Sequence, residues 1–161
     1  MDLRRLRAGE WIAGVAGLVL LLSLFMPWYE VGGADVSAFE AFAIHDVLLA
    51  GLAGGGIALV LVTAYQQSPA VTIALDALTT LFAIGISILL VIRVLNMPGD
   101  LDAAGAERAA FAWIGLAATF GVLGGALVAM RDERRSKPGQ WTDATGAPID
   151  APPEIEVISS P

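Results

Sequence analysis

The chain has 161 residues, of which 57% are hydrophobic and only 16% are charged. An ordinary soluble domain has about 45–50% apolar and about 25% charged residues, so this composition is typical of a membrane protein. The net charge of −7 comes without a large basic patch, which argues against nucleic-acid binding. With no cysteine and one histidine, the chain lacks the residues for thiol catalysis, iron–sulfur clusters and cysteine-based zinc sites. We expect no cofactor, no metal site and no enzymatic activity.

The apolar residues fall in four blocks, and most charged residues lie between the blocks. Each block has about 18–25 residues, and a helix needs about 20 residues to cross a hydrocarbon layer of about 30 Å. Backbone amides in lipid must be paired within their own segment, which makes helix the expected state. The sequence therefore predicts an all-α integral membrane protein, a four-transmembrane-helix bundle. Its expected spans are about 11–28, 47–64, 70–95 and 111–130.

Local signals mark the ends of several helices. Pro27 is expected to kink or end the first span, because proline cannot continue a helical hydrogen-bond ladder. Ser37 and Glu40 have the spacing of a capping box, which predicts a short helix before the second span. Ser68 and Pro69 are the expected N-cap and first residue of the third span.

Three parts follow along the chain: an N-terminal segment at 1–10, a transmembrane domain at 11–130 and a tail at 131–161. The tail is rich in proline and acidic residues without apolar periodicity, so we expect it to be disordered. Basic residues favour the cytoplasmic side. These signals predict a multi-pass protein of the cell (plasma) membrane with both termini cytoplasmic. The terminal segments hold seven of the nine basic residues: Arg4, Arg5, Arg7, Arg131, Arg134, Arg135 and Lys137.

Aromatic residues at the block boundaries agree with this topology, because tryptophan and tyrosine favour the headgroup level. Arg93, at the outer end of the third span, is expected to extend its guanidinium to the outer headgroups. The expected interface anchors are Trp11 and Tyr65 on the inner side and Trp28, Tyr29 and Trp113 on the outer side.

Small residues recur at spacing four on three of the predicted spans, including Ala13 and Gly17 on the first. Such stripes let helix backbones approach closely in lipid. They are open to two interpretations, packing within one four-helix bundle or contact between two copies of the chain. The expected packing residues are Gly51 and Gly55 on the second span and Ala117, Gly121, Gly125 and Ala129 on the fourth.

Asp76 is the one ionisable residue inside an apolar block, and Thr79, Thr80 and Ser87 follow it on the same helical face. A carboxylate in hydrocarbon is costly, so this face is a candidate proton or cation site. The alternative is a structural ion pair near the cytoplasmic interface, with Arg131 or the N-terminal arginines as the partner.

The outer loops are acidic and contain His45 next to Asp46. One interpretation is an acidic mouth that attracts cations, or a metal ligand pair. The other is that exported loops simply lack basic residues.

Pro27-Trp28-Tyr29, then Phe39, Phe42 and Asp46-Val47-Leu48-Leu49, resemble a pattern in uncharacterised four-helix integral membrane proteins of GC-rich bacteria. The resemblance covers roughly residues 9 to 130 and implies the four-helix fold. It carries no known activity.

Three functional hypotheses follow. The first is a structural or accessory subunit beside a membrane partner. The second is a small proton- or cation-coupled transporter or channel that uses Asp76. The third is a membrane sensor whose tail recruits a protein. The expected partners are the lipid bilayer and either another membrane protein or a second copy, with no nucleic acid.

Overall fold

A computed structural model describes residues 6–42, 44–65, 69–97, 99–133 and 141. Within these residues the protein is mostly helical, with one small sheet. The elements in chain order are α1 (Ala8–Ser23), β1 (Pro27–Val31), β2 (Ala34–Ser37), α2 (Ala38–Ala41), α3 (His45–Tyr65), α4 (Pro69–Leu95), α5 (Gly99–Ala103), β3 (Glu107–Arg108) and α6 (Ala110–Glu133).

Helices α3, α4 and α6 are each long and apolar enough to cross a membrane. Helix α1 is apolar but has only 16 residues. It ends at Ser23, five residues before the expected boundary of the first span. A turn follows, in which the Met26 amide donates to the Ser23 carbonyl (3.0 Å), and Pro27 then begins β1. The proline therefore lies in a strand and does not kink a longer helix.

The other helix ends lie close to the expected positions. Helix α4 begins at Pro69, while Ser68 lies outside the described residues. The Ser37 amide donates to the Glu40 carboxylate (2.8 Å), which is the capping-box bond expected at the start of α2. Helix α6 continues to Glu133, so the first residues of the predicted disordered tail are helical.

Helix α1 packs against α6 through direct backbone contact. A Cβ built on Gly125 would lie 2.8 Å from the Cα of Ala13, and one built on Gly9 would lie 2.6 Å from the Cα of Ala129. Real Cβ atoms essentially never come so close to backbone. Only glycine therefore fits at these two positions without a shift of the neighbouring helix.

The same helix makes a second close contact, with α3. A Cβ on Gly17 would lie 2.7 Å from the Ala53 carbonyl oxygen, and one on Gly56 would lie 2.6 Å from the Ala13 carbonyl oxygen. Small residues on three helices thus allow α1 to fit between α3 and α6. This is the packing mode expected of helices in lipid, where burial against a neighbour brings no hydrophobic gain.

The predicted packing residues take different places in this arrangement. Gly121, Gly125 and Ala129 all lie at the α1 contact. Ala117, one turn before Gly121, has an exposed side chain that lies away from the α1 contact, so its packing role stays a prediction. Gly51 and Gly55 lie near α4, with Phe82 and Thr79 as neighbours.

Helix α1 runs antiparallel to α3 and to α6. Gly9 of α1 lies beside Ala129 of α6, and Gly14 lies beside Val60 of α3. Thr80 of α4 in turn contacts Met130 of α6. The start of α1 and the end of α6 are therefore at the same end of the protein, which we call the terminal end.

The opposite end is closed by a three-stranded antiparallel sheet in the order β2-β1-β3. Strands β1 and β2 form a hairpin through Gly32 and Gly33, whose φ angles of 57° and 84° suit a two-residue turn. Strand β3 comes from the loop between α4 and α6 and pairs Arg108 with Tyr29. We call the sheet together with α2 the cap. The sequence predicted loops here and gave no indication of a sheet.

The contact between α1 and α6 predicts opposite effects for two adjacent glycines. We expect Gly125→Ala to lower the free energy of unfolding by about 1–3 kcal/mol, because the new methyl group overlaps the Ala13 backbone. Gly124→Ala has open space around it and should be neutral or stabilising by up to about 1 kcal/mol. Reversible unfolding in mixed micelles, followed by helical circular dichroism, measures both. Equal stability of the two variants would contradict this packing.

Candidate functional site

The four residues of the predicted proton or cation site lie on one buried face of α4. Asp76 is 0% exposed, and Thr79, Thr80 and Ser87 are 4%, 7% and 3% exposed. Residues three, four and eleven positions apart share a face of a helix, which explains why the four are buried together. We call these residues the polar face of α4.

Helices α3 and α6 cover the polar face. The Thr80 hydroxyl donates to the sulfur of Met130 on α6 (3.2 Å). Thr79 faces α3, where a Cβ on Gly55 would lie 3.5 Å from its hydroxyl oxygen. The Ser87 hydroxyl is buried without a hydrogen-bond partner among the described residues. The polar face is therefore inside the protein and does not contact the outer surface.

Asp76 lies near the terminal end, seven residues after the first residue of α4. At 1.5 Å per residue this is about 10 Å along the helix. Both carboxylate oxygens are buried, and Asp76 takes part in an interaction within the protein. Buried oxygen ligands could bind a proton or a cation. Because the Asp76 carboxylate already interacts within the protein, a structural ion pair is an equally good interpretation.

His45 and Asp46 do not converge on a common ligand. The imidazole packs against Phe42, with ring centroids 6.2 Å apart, and borders a small cavity lined by apolar residues of α3 and α4. Asp46 is 8% exposed and accepts the Val47 amide (2.7 Å). Among the described residues, no three His, Asp or Glu side chains lie close enough to hold a metal ion.

The predicted interface anchors divide into two groups. Trp11, Tyr65 and Trp113 are 47%, 64% and 50% exposed, so their rings are available to a surrounding membrane. Trp28 and Tyr29 do not have the exposure expected of interface anchors, since both side chains are 0% exposed.

Trp28 and Tyr29 belong to the core beneath the cap. The Trp28 indole donates to the Ser23 carbonyl (2.8 Å) and packs edge-on against Phe42, with ring centroids 5.6 Å apart. It also occupies the space beside Gly115, where a Cβ would lie 2.6 Å from the ring atom Cη2. These two aromatic rings hold the cap on the helices instead of anchoring the protein in headgroups.

Arg108 has a structural role that the sequence did not reveal. Its guanidinium donates to the carbonyls of Val94 (2.6 Å) and Leu95 (2.9 Å). These carbonyls end α4 and have no partner within the helix, so a cation is favourable there. Arg93, the residue before Val94, is half-buried with its Nε atom enclosed, and the expected extension of its guanidinium to the outer headgroups stays a prediction.

Two titratable groups of the cap have shifted pKa values. Burial raises the pKa of Tyr29 above its ordinary value, while the positive charges of Arg108 and Arg93 act in the opposite direction. Hydrogen bonds from Ser37 lower the pKa of the exposed Glu40 carboxyl, because they stabilise its charged form.

Several predictions fall on residues that the structure does not describe. They include the basic residues Arg4, Arg5, Arg134, Arg135 and Lys137 and, apart from Trp141, the tail from residue 134 onward. The tail-recruitment hypothesis lies outside the described residues for the same reason.

Comparison of the chain with known protein families, with curated proteins and with solved structures finds no match.

Proposed function

We propose that the protein crosses the cell membrane four times, with α1 as the first span and both termini cytoplasmic. Helix α1 is short, but the apolar residues Leu24 to Met26 extend its hydrophobic length beyond Ser23. Antiparallel packing supports the proposal, because it puts the start of α1 and the end of α6 at the same end, and the two basic segments adjoin these helix ends in sequence. The outward side chains of α1 also fit a lipid environment. They include Trp11, Ile12, Val15, Leu18, Val19 and Leu22, which are all exposed.

Cysteine labelling tests this topology against a native background that contains no cysteine. We expect Asp35→Cys in the cap to react with a membrane-impermeant maleimide in intact cells, because it lies outside. Gln67→Cys and Gln140→Cys should react only after permeabilisation, and they serve as matched controls. Labelling of position 67 or 140 in intact cells would contradict the proposed orientation.

We propose that the protein acts within this topology as a structural or accessory subunit of a membrane assembly. The outward face of α3 carries this proposal. Between the exposed residues Val47 and Leu61, the exposed positions of α3 are Gly51 and Gly54, and Ala58 one turn further is half-buried. This stretch of 14 residues is about 21 Å long. A Cβ on Gly54 would meet nothing within 4 Å.

The contrast with α1 makes the α3 face distinctive. The outward face of α1 is filled by large side chains such as Val15, Leu18 and Leu22, which suit fluid acyl chains. The α3 face is narrow and smooth, so a second helix can approach its backbone closely and gain packing energy. A helix of another membrane protein is the partner that we propose for this face.

A pair of glycine variants tests the accessory role. We expect the wild-type protein, extracted in mild detergent from its native membrane, to migrate in a complex larger than the single chain. Gly54→Leu should release it, because the added side chain separates the helices. Gly124→Leu on α6 is the matched control, since that position is also open. Native gel electrophoresis with mass spectrometry of the band gives the readout.

Two outcomes would contradict the accessory role. One is migration of the wild type as a single chain. The other is a complex that contains only copies of this chain.

The burial of the polar face favours a second candidate function, a proton- or cation-coupled transporter or channel that uses Asp76. A fully buried carboxylate with three hydroxyl groups on the same face is the arrangement expected of an intramembrane ion site.

Flux measurements in proteoliposomes separate the two candidates. If the protein is a transporter that uses Asp76, the wild type should give a flux above that of empty vesicles. The Asp76→Asn variant should lose this flux, because asparagine has the size of aspartate but no charge. Asp102→Asn, an exposed acid of α5, is the matched control and should leave the flux unchanged. Wild-type flux at background, or undiminished flux in Asp76→Asn, would contradict the transporter function.

A further inference from the structure

Two polar atoms beneath the cap are buried without a hydrogen-bond partner among the described residues. They are the hydroxyl oxygen of Tyr29 and the Nε atom of Arg93. Tyr29 is 0% exposed and Arg93 is half-buried, so bulk water does not reach either atom. A buried donor without a partner is costly, and most such groups in proteins are paired with a protein group, a water molecule or a ligand.

Arg108 brings a second positive charge to the same place. Strand pairing puts Arg108 directly beside Tyr29. Its guanidinium donates to the carbonyls of Val94 and Leu95, the two residues that follow Arg93 at the end of α4. These bonds use only some of the N–H groups that an arginine offers. Arg108 can therefore end the helix and still donate to a ligand.

The charges of both arginines reach the Tyr29 hydroxyl. Burial is the largest influence on the pKa of Tyr29 and raises it, while the charges of Arg108 and then Arg93 lower it. A charge shifts a pKa in this way only from a short distance. The phenol and the two guanidinium groups are therefore close neighbours, which agrees with the strand register and with the bonds at the end of α4.

Strand geometry keeps the neighbouring carboxylates on the other face of the sheet. Successive side chains of a strand point to opposite faces. Tyr29 and Arg108 are cross-strand partners on one face, and the next pair, Glu30 with Glu107, lies on the other. Asp35 pairs with Glu30 and shares that outer face, and all three acids are exposed. The positive charge beneath the cap is therefore not neutralised by these acids.

The donors at this place fit an anion with several oxygen atoms. Guanidinium groups and a phenol donate hydrogen bonds, and arginine matches the geometry of phosphate oxygens. Three separate donor groups suit a tetrahedral phosphate better than a planar carboxylate. The carbonyl end of a helix disfavours an anion, because it carries about half a negative charge. The bonds from Arg108 to the last carbonyls of α4 offset that charge.

We propose that Tyr29, Arg93 and Arg108 bind the oxygens of a phosphate group at the cap end of α4. We call these three residues the oxyanion site. A phospholipid headgroup and free phosphate both present this chemistry. The site goes beyond the proposed accessory role and does not depend on it. Only its location on the outer side of the membrane rests on the proposed topology.

Titration of the purified full chain with sodium phosphate, at constant ionic strength in a non-ionic detergent, tests the oxyanion site. A ligand that binds the folded state raises the Tm, which helical circular dichroism follows. We expect Arg93→Gln to weaken the apparent affinity at least about tenfold, because it removes a charge-assisted hydrogen bond. Arg131→Gln removes the same charge from an exposed position near the terminal end and should bind as the wild type does.

Tyr29→Phe separates binding from folding, because it removes only the hydroxyl. That hydroxyl has no partner among the described residues, so without phosphate the variant should have the Tm of the wild type or a higher one. Its phosphate affinity should fall about fivefold. Tyr65→Phe, at an exposed tyrosine, is the matched control with unchanged affinity. A hydroxyl with a purely structural role would give the reverse, a lower Tm and unchanged affinity.

Native mass spectrometry with dioleoyl phosphatidylglycerol distinguishes the two sources of the phosphate group. Lipid binding that Arg93→Gln loses, without any response to sodium phosphate, identifies a lipid headgroup as the ligand. A response to sodium phosphate, with or without lipid binding, shows that the site also takes free phosphate.

Two results would overturn the oxyanion site. One is a wild type that binds neither sodium phosphate nor the lipid. The other is wild-type affinity for the bound ligand in folded Arg93→Gln or Tyr29→Phe. Either result together with the expected cysteine labelling at positions 35, 67 and 140 refutes the oxyanion site and leaves the proposed topology intact.

Discussion

The close backbone contact of α1 with α6 and α3 is the constraint on which the other features depend. Helices in lipid gain little from burying apolar surface, so contact must come from packing. Gly9, Gly17, Gly56 and Gly125 supply it by letting peptide groups of neighbouring helices touch. The position of α1 in turn brings Ser23 to the point where its carbonyl accepts the indole of Trp28.

The cap joins the loop between α1 and α3 to the loop between α4 and α6. Strand pairing of Tyr29 with Arg108 connects them, and Arg108 also completes the end of α4. The interior below the cap is filled by large apolar side chains, with Leu20, Leu24, Leu52 and Val94 all 0% exposed.

The polar face was predictable because helical periodicity alone places Asp76, Thr79 and Ser87 on one side of α4. The roles of Trp28 and Arg108 could not be predicted from the sequence. An aromatic residue at the end of an apolar block has the same sequence signature whether it faces headgroups or a core. The role of Arg108 depends on the Val94 and Leu95 carbonyls, which lie 14 and 13 residues earlier in the chain.

The helical character, the capping box at Ser37 and the apolar surface could be read from the residues alone, because composition and short-range periodicity encode them. Tertiary structure decided which small residues make contact. Gly55 and Gly56 are neighbours in sequence, yet only Gly56 touches α1, since adjacent residues point about 100° apart on a helix. The pairing of two acidic loops in one sheet also depends on the tertiary structure. Strand pairing between segments about 80 residues apart depends on how the helices bring those segments together.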